Sequence, residues 1–556
     1  MSMPSQIEQL EEIIKEAISR AIQAKSLSGA VPDSIKLERP KDRSHGDYAT
    51  SIALQIAKPM GKNPREVAQV IADQLTGLED ISKVEIAGPG FINLTLNRAT
   101  QAQLVEIIIA AKDSFGQGKS LSGIKINLEF ISANPTGPLH LGHTRWAAVG
   151  DSLGRVLTAA GAQVTREFYI NDRGNQMELF GQSVEAVALG QSVPENGYQG
   201  DYIKDLAVEV VKDNPGIKEL VPQERTQAFR EAAYEVQLKD QQRVLDTFNT
   251  HFDVWFSERS LHDQGAVEHG VQKLRKQGHV FESEGATWLR TTDFGDDKDR
   301  VITKANGELT YFASDTAYYI NKRERGFDIC IYMLGADHHG YINRLRATAA
   351  CAGDNPDFNI DVLIGQLVKI MEGGQEVKLS KRAGTIITLE ELVEKVGVDA
   401  ARYTLIRYPV DTPMVMDIDI LKRNTNENPV YYVQYAHARI AAVLRNASEL
   451  GAAMELKDFD PTQLTHDREN ELLGALAEFP RVIESAAELR EPHRVARYLE
   501  ELAGTYHGFY NDCRVLPMGE EKLTALHTAR LLLCTATKQV LKNGLDLLGV
   551  SAPERM

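Results

Sequence analysis

Residues 124–161 read IKINLEFISANPTGPLHLGHTRWAAVGDSLGRVLTAAG. Ile124 to Ile131 is a short apolar and β-branched run, the pattern of a buried strand. Asn134-Pro135-Thr136-Gly137-Pro138 breaks that pattern and marks a loop. From Leu141 onward, Ala147, Val149, Leu153, Val156 and Leu157 recur at helical spacing. Gly161 stands where a helix-terminating glycine belongs. Strand, tight turn and helix start is the layout by which doubly wound domains receive phosphate. Gly142 leaves the backbone open to a ligand because it has no Cβ. His140 and His143 could donate hydrogen bonds to a phosphoryl group whose charge grows during a reaction. The competing reading of these residues is two surface histidines opening an ordinary helix.

The rest of the chain is large enough to need several such units. It has 556 residues, 43% hydrophobic, which predicts three or four domains. The four cysteines, at 330, 351, 513 and 534, are far apart, so neither a disulfide framework nor a structural zinc site is expected. The first residues lack the basic-then-apolar pattern of a secretory signal, and no apolar run is long enough to span a membrane. A soluble cytoplasmic protein is the expectation. The net charge of −16 weighs mildly against a nucleic-acid partner, although local basic patches on an acidic body can still hold one.

Upstream of the deciding stretch, Ile7, Leu10, Ile13, Ile14, Ala17, Ile18, Ala21 and Ile22 form one apolar helix face. Residues 45–58 and 63–75 also read as helices, the second capped by Asn63 with Pro64 at its first position. Val84 to Ala87 and Phe91 to Leu96 read as strands around Gly88-Pro89-Gly90. Phe91 and Asn93 share a face of the second strand. They are either a platform for an unpaired base or, for Phe91, plain core.

Downstream, Gln163 to Ile170 completes strand–helix–strand for a parallel sheet, and a polar loop follows at 171–176. Residues 181–285 are acidic and mostly helical and read as an insertion. Ile329 to Leu334 is a second buried strand, ending in the polar Gly335-Ala336-Asp337-His338-His339. A hairpin around Gly373-Gly374 delivers Lys378-Leu379-Ser380-Lys381. Lysines on such a turn suit pyrophosphate, though a solvated basic turn is the usual reading. Thr388 and Glu391 form a capping box, and Gly397 ends that helix. From Asp399 on, the chain reads as almost all helix. It carries Tyr and Arg clusters that include Tyr435, Arg439, Arg494 and Tyr498, suited either to an unstacked RNA loop or to a core. Tyr311 and Asp315, four apart at a helix start, could join Glu258 in a cup for a guanidinium. An ordinary salt-bridge network would use the same residue types.

His140-Leu141-Gly142-His143 resembles the first signature of class I aminoacyl-tRNA synthetases. Lys378-Leu379-Ser380-Lys381 resembles the second, with Leu379 where the family has methionine. His45-Gly46-Asp47-Tyr48, Gly88 to Asn93, and the ending Leu547 to Met556 resemble arginyl-tRNA synthetases of bacterial type in particular. The resemblance implies an α/β fold: a Rossmann-like class I catalytic core over 122–398 with the insertion at about 181–285, an N-terminal α+β domain over 1–115 that meets the tRNA elbow, and a C-terminal all-α bundle over 399–556 that reads the anticodon. It implies ATP as substrate with Mg²⁺, L-arginine and tRNA(Arg) as partners, no zinc, no membrane, and a monomer. The positions implied for catalysis are His140, His143, Lys378 and Lys381, and those around ATP add Gly137, Leu139, Gly142 and Ser380. For arginine they are Asn134, Glu258, Tyr311, Asp315 and, by a looser match, His338. For tRNA they are Phe91, Asn93, Tyr435, Arg439, Tyr498 and Met556. A class I synthetase for another amino acid, or a tRNA-binding paralogue without activity, are the alternatives.

Overall fold

A computed structural model describes residues 6–38, 40, 45–338, 340–377, 387–452 and 454–556. The deciding stretch folds as read. Lys125–Glu129 is a strand and Leu141–Ala159 a helix, hereafter the signature helix. Five parallel strands form the central sheet, in the spatial order Ile360–Gly365, Ile329–Gly335, Lys125–Glu129, Gln163–Ile170, Val254–Ser257. The order reverses between Ile329–Gly335 and Lys125–Glu129. In a doubly wound sheet that reversal opens the ligand crevice at the carboxyl ends of the strands. Ile126, Leu128 and Phe130 face the signature helix. The approach is so close at Gly150 that a Cβ there would lie 2.4 Å from the Phe130 ring.

Three helices, Asn175–Ala188, Asp201–Asp213 and Pro222–Thr247, pack around their own small core of Met177, Phe180, Ile203 and Phe229. The chain then returns to the central sheet at Val254–Ser257, inside the range read as an insertion. That short strand has only one neighbour, Gln163–Ile170, and its half-buried residues gave no run long enough to mark it. A three-stranded antiparallel sheet, Val280–Ser283, Ala286–Leu289 and Arg300–Thr303, precedes the helix Tyr311–Glu324.

The N-terminal unit is a four-stranded sheet backed by the helices Gln6–Gln23 and Pro64–Leu75. Asn63 caps the second through its side chain, with Pro64 following. Residues 45–58 are not one helix. Tyr48–Thr50 is a strand paired to Ile92–Leu94, and the helix begins at Ile52. The apolar spacing there fitted a helix, but pairing to the neighbouring strand prevails. Asp47 clips the junction by accepting from Leu96 N at 2.9 Å and Gln101 Nε2 at 2.5 Å.

The C-terminal part is a bundle of five helices: Pro429–Glu449, Asp467–Ala477, Phe479–Glu488, His493–Asp512 and Ala525–Leu547. A short strand interrupts the nearly all-helical run read from Asp399 on. Met414–Asp417 is a strand that pairs in parallel with Val368–Glu372, extending the hairpin read at 368–376. One continuous core runs from the signature helix through residues 389–406 into the bundle.

Arg402 is the joint in that core. It is fully buried. Its Nε donates to Leu548 O at 3.0 Å. Its Nη1 donates to Phe248 O, Asn249 O and Thr250 Oγ1 at 2.9–3.0 Å, and Nη2 to Asp151 Oδ2 at 2.8 Å. One guanidinium therefore ties the signature helix, the end of Pro222–Thr247 and the end of the last bundle helix. Gly549 has to be glycine beside it, with φ +65° and no room for a Cβ, which would lie 2.4 Å from Nη2. Breaking one side of a buried pair leaves the other charge uncompensated, so Arg402→Met is expected to destabilise the chain by about 3–5 kcal/mol. Equilibrium urea unfolding checks this, and a loss under about 1 kcal/mol would contradict the joint.

Candidate active site

The crevice is built on the loop between Lys125–Glu129 and the signature helix. Ile131 and Ser132 have φ +71° and +48°, consecutive left-handed residues without glycine, and the surrounding bonds must hold them. Ser132 Oγ donates to Glu129 Oε1 at 3.0 Å, and Tyr169 N donates to that hydroxyl at 3.3 Å. The helical insertion fixes the rest of the loop. Gln241 Nε2 donates to Asn134 O at 3.1 Å and Gly137 O at 2.8 Å, and Tyr202 donates its hydroxyl to Thr136 O at 3.1 Å. The Asn134 amide donates to Gln176.

His140 and His143 form the start of the signature helix as a reciprocal cap. Gly142 N donates to His140 Nδ1 at 3.1 Å, and His140 N to His143 Nδ1 at 3.4 Å. The rings stack at 4.0 Å. With each Nδ1 accepting, the proton of each neutral ring is on Nε2, the tautomer that can donate to a phosphate oxygen. The helix N-terminus adds its own partial positive charge.

The stretch after the second signature is zipped directly to the first. Leu141 N donates to Ile387 O at 3.1 Å, Leu389 N to Leu139 O at 2.9 Å, and His140 bridges Thr388. At the other end, Val377 N donates to Ile370 O at 2.9 Å. Lys378, Ser380 and Lys381 lie outside the described residues; of the flanks, Ile387 to Leu389 pairs beside His140 and Val377 pairs with Ile370.

Across the crevice, Glu258 is the first residue of the helix Glu258–Asp263, directly after a central strand. It is only 6% exposed. Asp315 is half-buried one turn into Tyr311–Glu324. Burial raises Glu258 to a pKa of about 6, with the Asp172 charge adding and Arg173 opposing. Burial raises Asp315 to about 7, with Glu129 and Glu258 adding and Arg344 opposing. Tyr169 is pushed up by burial and then by the charges of Glu258, Asp315, Glu129 and Asp172. Among the described residues, neither Glu258 nor Asp315 has a Lys or Arg at ion-pair distance. By contrast, Asp172 accepts from Ser257 Oγ at 2.6 Å and Arg259 N at 3.1 Å, and acts as scaffold.

The structure thus brings Asn134, Gly137, Leu139, His140, Gly142, His143, Glu258 and Asp315 to one sheet edge. Tyr311 is 78% exposed at the mouth, with its hydroxyl 3.9 Å from where a Cβ of Gly174 would stand. His338 ends the turn Ala336–His338 after Ile329–Gly335, edge-on to Tyr341 at 5.3 Å. Glu129, Tyr169 and Gln241 were not read from sequence. Glu129 sits between Leu128 and Phe130, and a carboxylate inside an apolar strand was the available signal.

Far from the crevice, Tyr435 is 38% exposed, stacked with Tyr431 at 6.1 Å and set against His507 at 5.9 Å. Arg439 covers Tyr510 at 4.2 Å. The last residues lie on the same helix. His437 contacts Pro553 O at 2.9 Å and Arg445 donates to Glu554 O at 2.9 Å, leaving Met556 55% exposed. Tyr498 does not join this face. It is buried on Phe479 at 5.4 Å and donates its hydroxyl to Ala475 O at 3.0 Å, a core tyrosine whose helical spacing matched the aromatic face by period alone. In the N-terminal unit Phe91 is 41% exposed, whereas Asn93 beside it is buried at 7%.

A parallel sheet with reversed strand order and a histidine-capped helix at the reversal, with the second signature in sequence after them, define a class I aminoacyl-tRNA synthetase. Models of three domains match the chain: the arginyl tRNA synthetase N terminal domain at 8–96, the class I (R) tRNA synthetase catalytic domain at 104–438, and the DALR anticodon binding domain at 433–556. The chain belongs to the arginyl-tRNA synthetase family. It is 55% identical over 543 residues to an arginine--tRNA ligase of Paenarthrobacter aurescens, covering 98% of each chain. It is 54% identical over 555 residues to that of Pseudarthrobacter chlorophenolicus, covering 99% and 100%. The Thermus thermophilus arginyl-tRNA synthetase structure shares the fold, with TM-score 0.74 at 22% identity over 98% of this chain and 100% of that one.

A carboxyl raised in the fold stabilises it at low pH, and that contribution is lost as pH rises through the folded value. Asp315→Asn is therefore expected to melt about 1–3 °C above the wild type at pH 8. A cation site needs the ionised form, which has the opposite dependence. The kcat/KM for arginine is expected to fall about tenfold per pH unit below the Asp315 value of about 7, and Asp315→Asn to lose that dependence along with most activity. Exchange kinetics from pH 6 to 8.5 check this. A flat wild-type profile would contradict the cup.

Proposed function

We propose that this chain joins L-arginine to tRNA(Arg) in two steps at the crevice. The α-carboxylate of arginine attacks the α-phosphorus of ATP, giving arginyl-adenylate and pyrophosphate. A terminal ribose hydroxyl of the tRNA then attacks the adenylate carbonyl and displaces AMP. The carrying observation is the pair of raised carboxylates, buried Glu258 and half-buried Asp315, with no Lys or Arg at ion-pair distance among the described residues, across the sheet edge from the histidine-capped helix. A guanidinium supplies the missing cation in a planar fork that two carboxylates can grip. A neutral side chain of similar size leaves both charges buried and unpaired, which supports selection at the binding step.

The two histidines donate to the α-phosphate as its charge grows, while Lys378, Ser380 and Lys381 bind the phosphates that depart as pyrophosphate. Gly137, Leu139 and Gly142 present backbone to the nucleotide. Asn134 and His338 take the amino and carboxylate end of arginine, and Tyr311 closes over the guanidinium from the mouth. This is positioning and charge stabilisation, with no covalent enzyme intermediate. Among the described residues no three His, Cys, Asp or Glu side chains converge on a metal position. Mg²⁺ would travel with ATP, where it would neutralise phosphate charge. Phe91 meets the tRNA elbow, and Tyr435, Arg439 and Met556 meet the anticodon loop by stacking and cation–π contact. The chain acts as a monomer. No described helix is long and apolar enough to cross a membrane.

Arginine-dependent ATP–pyrophosphate exchange, run with and without tRNA(Arg), tests this. Exchange above background with arginine is expected, and Lys381→Ala is expected to lower it at least about tenfold while tRNA binding persists. Absence of arginine-stimulated exchange under both conditions would overturn the proposal.

A further inference from the structure

Tyr332, Glu129 and Glu167 lie in register on three adjacent parallel strands, so their side chains share one face of the sheet. The helix Tyr311–Glu324 covers that face. On it, Asp315, Tyr318 and Lys322 recur three and four residues apart, the spacing of one helix face. Two carboxylates side by side on neighbouring strands repel each other unless each has its own counter-charge. Glu167 has Arg325, which grips it with two bonds of 2.6 and 2.8 Å, and the Tyr318 hydroxyl. Glu129 has Lys322.

Lys322 is fully buried. Its ammonium donates to Glu129 Oε2 at 2.5 Å and stands 4.3 and 3.8 Å from the ring centroids of Tyr318 and Tyr332. Taking an ammonium out of water is expensive, and an apolar pair of similar volume would often hold a core as well or better. The placement shows what the charge does. Glu129 is, after burial, the first cause of Asp315's resistance to ionising, and Lys322 is the cation that faces Glu129. The other groups facing Asp315 are Glu258 from its helix, Tyr169 from the next strand and Arg344 from Tyr341–Cys351.

We propose that Lys322 is a positioning residue for amino-acid recognition: its buried ammonium pairs with Glu129 and offsets part of that charge, so that Glu258 and Asp315 can ionise beside it for a substrate cation. The inference rests on the arginine reading of the cup. Lys322 touches no substrate in this account. It acts through Glu129, which also holds Ser132 at the head of the Asn134 loop.

The test is the pH profile of kcat/KM for arginine in pyrophosphate exchange by the full-length chain, with tRNA(Arg) present. Lys322→Met leaves Glu129 uncancelled, and its profile midpoint is expected to move up by about one pH unit. Glu129→Gln leaves Lys322 unopposed, and its midpoint is expected to move down by about half a unit or more. The double variant is expected to fall between the two single variants, and Lys322→Arg to keep the wild-type midpoint. Loss of packing alone cannot drive two single variants in opposite directions. If Lys322→Met does not fold, Glu129→Gln decides: a lower midpoint supports the inference and an unchanged one overturns it. Normal wild-type exchange with unmoved midpoints overturns this inference alone. Wild-type exchange that ignores arginine overturns the reading beneath it as well.

Discussion

The guanidinium of Arg402 holds three parts of the chain to one geometry, and the active site inherits that geometry. Asp151 lies in the signature helix, whose first residues carry His140 and His143. Phe248, Asn249 and Thr250 end the segment that starts as Pro222–Thr247, whose Gln241 holds the Asn134–Gly137 loop. Leu548 ends the bundle's last helix, from which the tail runs back over the tyrosine face to Met556. A buried ion pair is a poor source of net stability, but it is an exacting one: it is satisfied in a single arrangement. The catalytic sheet, the helical insertion and the bundle therefore meet in one register rather than sliding on apolar contacts.

The crevice obeys the opposite rule. Where Arg402 has a partner for each of its nitrogens, Glu258 and Asp315 have no Lys or Arg at ion-pair distance among the described residues, and the fold bears the cost of keeping them. That cost is confined by what lies beneath. Glu129 and Glu167 would add two more charges to the same face, and each is matched by one cation from Tyr311–Glu324 or the turn after it. Glu258 and Asp315 are local inconsistencies at positions a substrate would satisfy, which is where such inconsistency belongs in a functional protein.

Much of this was legible in the chain. The switch from strand to helix period around Asn134–Pro138 gave the central unit, since a buried strand, a proline–glycine loop and a capped helix each leave local marks. Asn63, Thr388 and Glu391 were readable for the same reason. What failed depended on partners distant in sequence. Tyr48–Thr50 has helical spacing and became a strand because Ile92–Leu94 pairs with it. Met414–Asp417 became one because Val368–Glu372 lies beside it. Tyr498 fits an aromatic face by period, but the neighbouring helix that buries it is unknowable from its own segment. Lys322 follows Asp315 by seven residues, so their common face was visible. That the face meets Glu129, almost two hundred residues earlier, was not.

The central claim is that two ionised carboxylates select the amino acid by charge. Citrulline tests it most directly, because its urea keeps the shape of arginine's guanidinium and removes the positive charge. With pyrophosphate exchange run at pH 8 and tRNA(Arg) present, a preference for arginine of at least about 10³ in kcat/KM is expected, since citrulline leaves two buried charges unpaired. Comparable exchange with both amino acids would contradict the account, because the cup would then be reading shape and not charge.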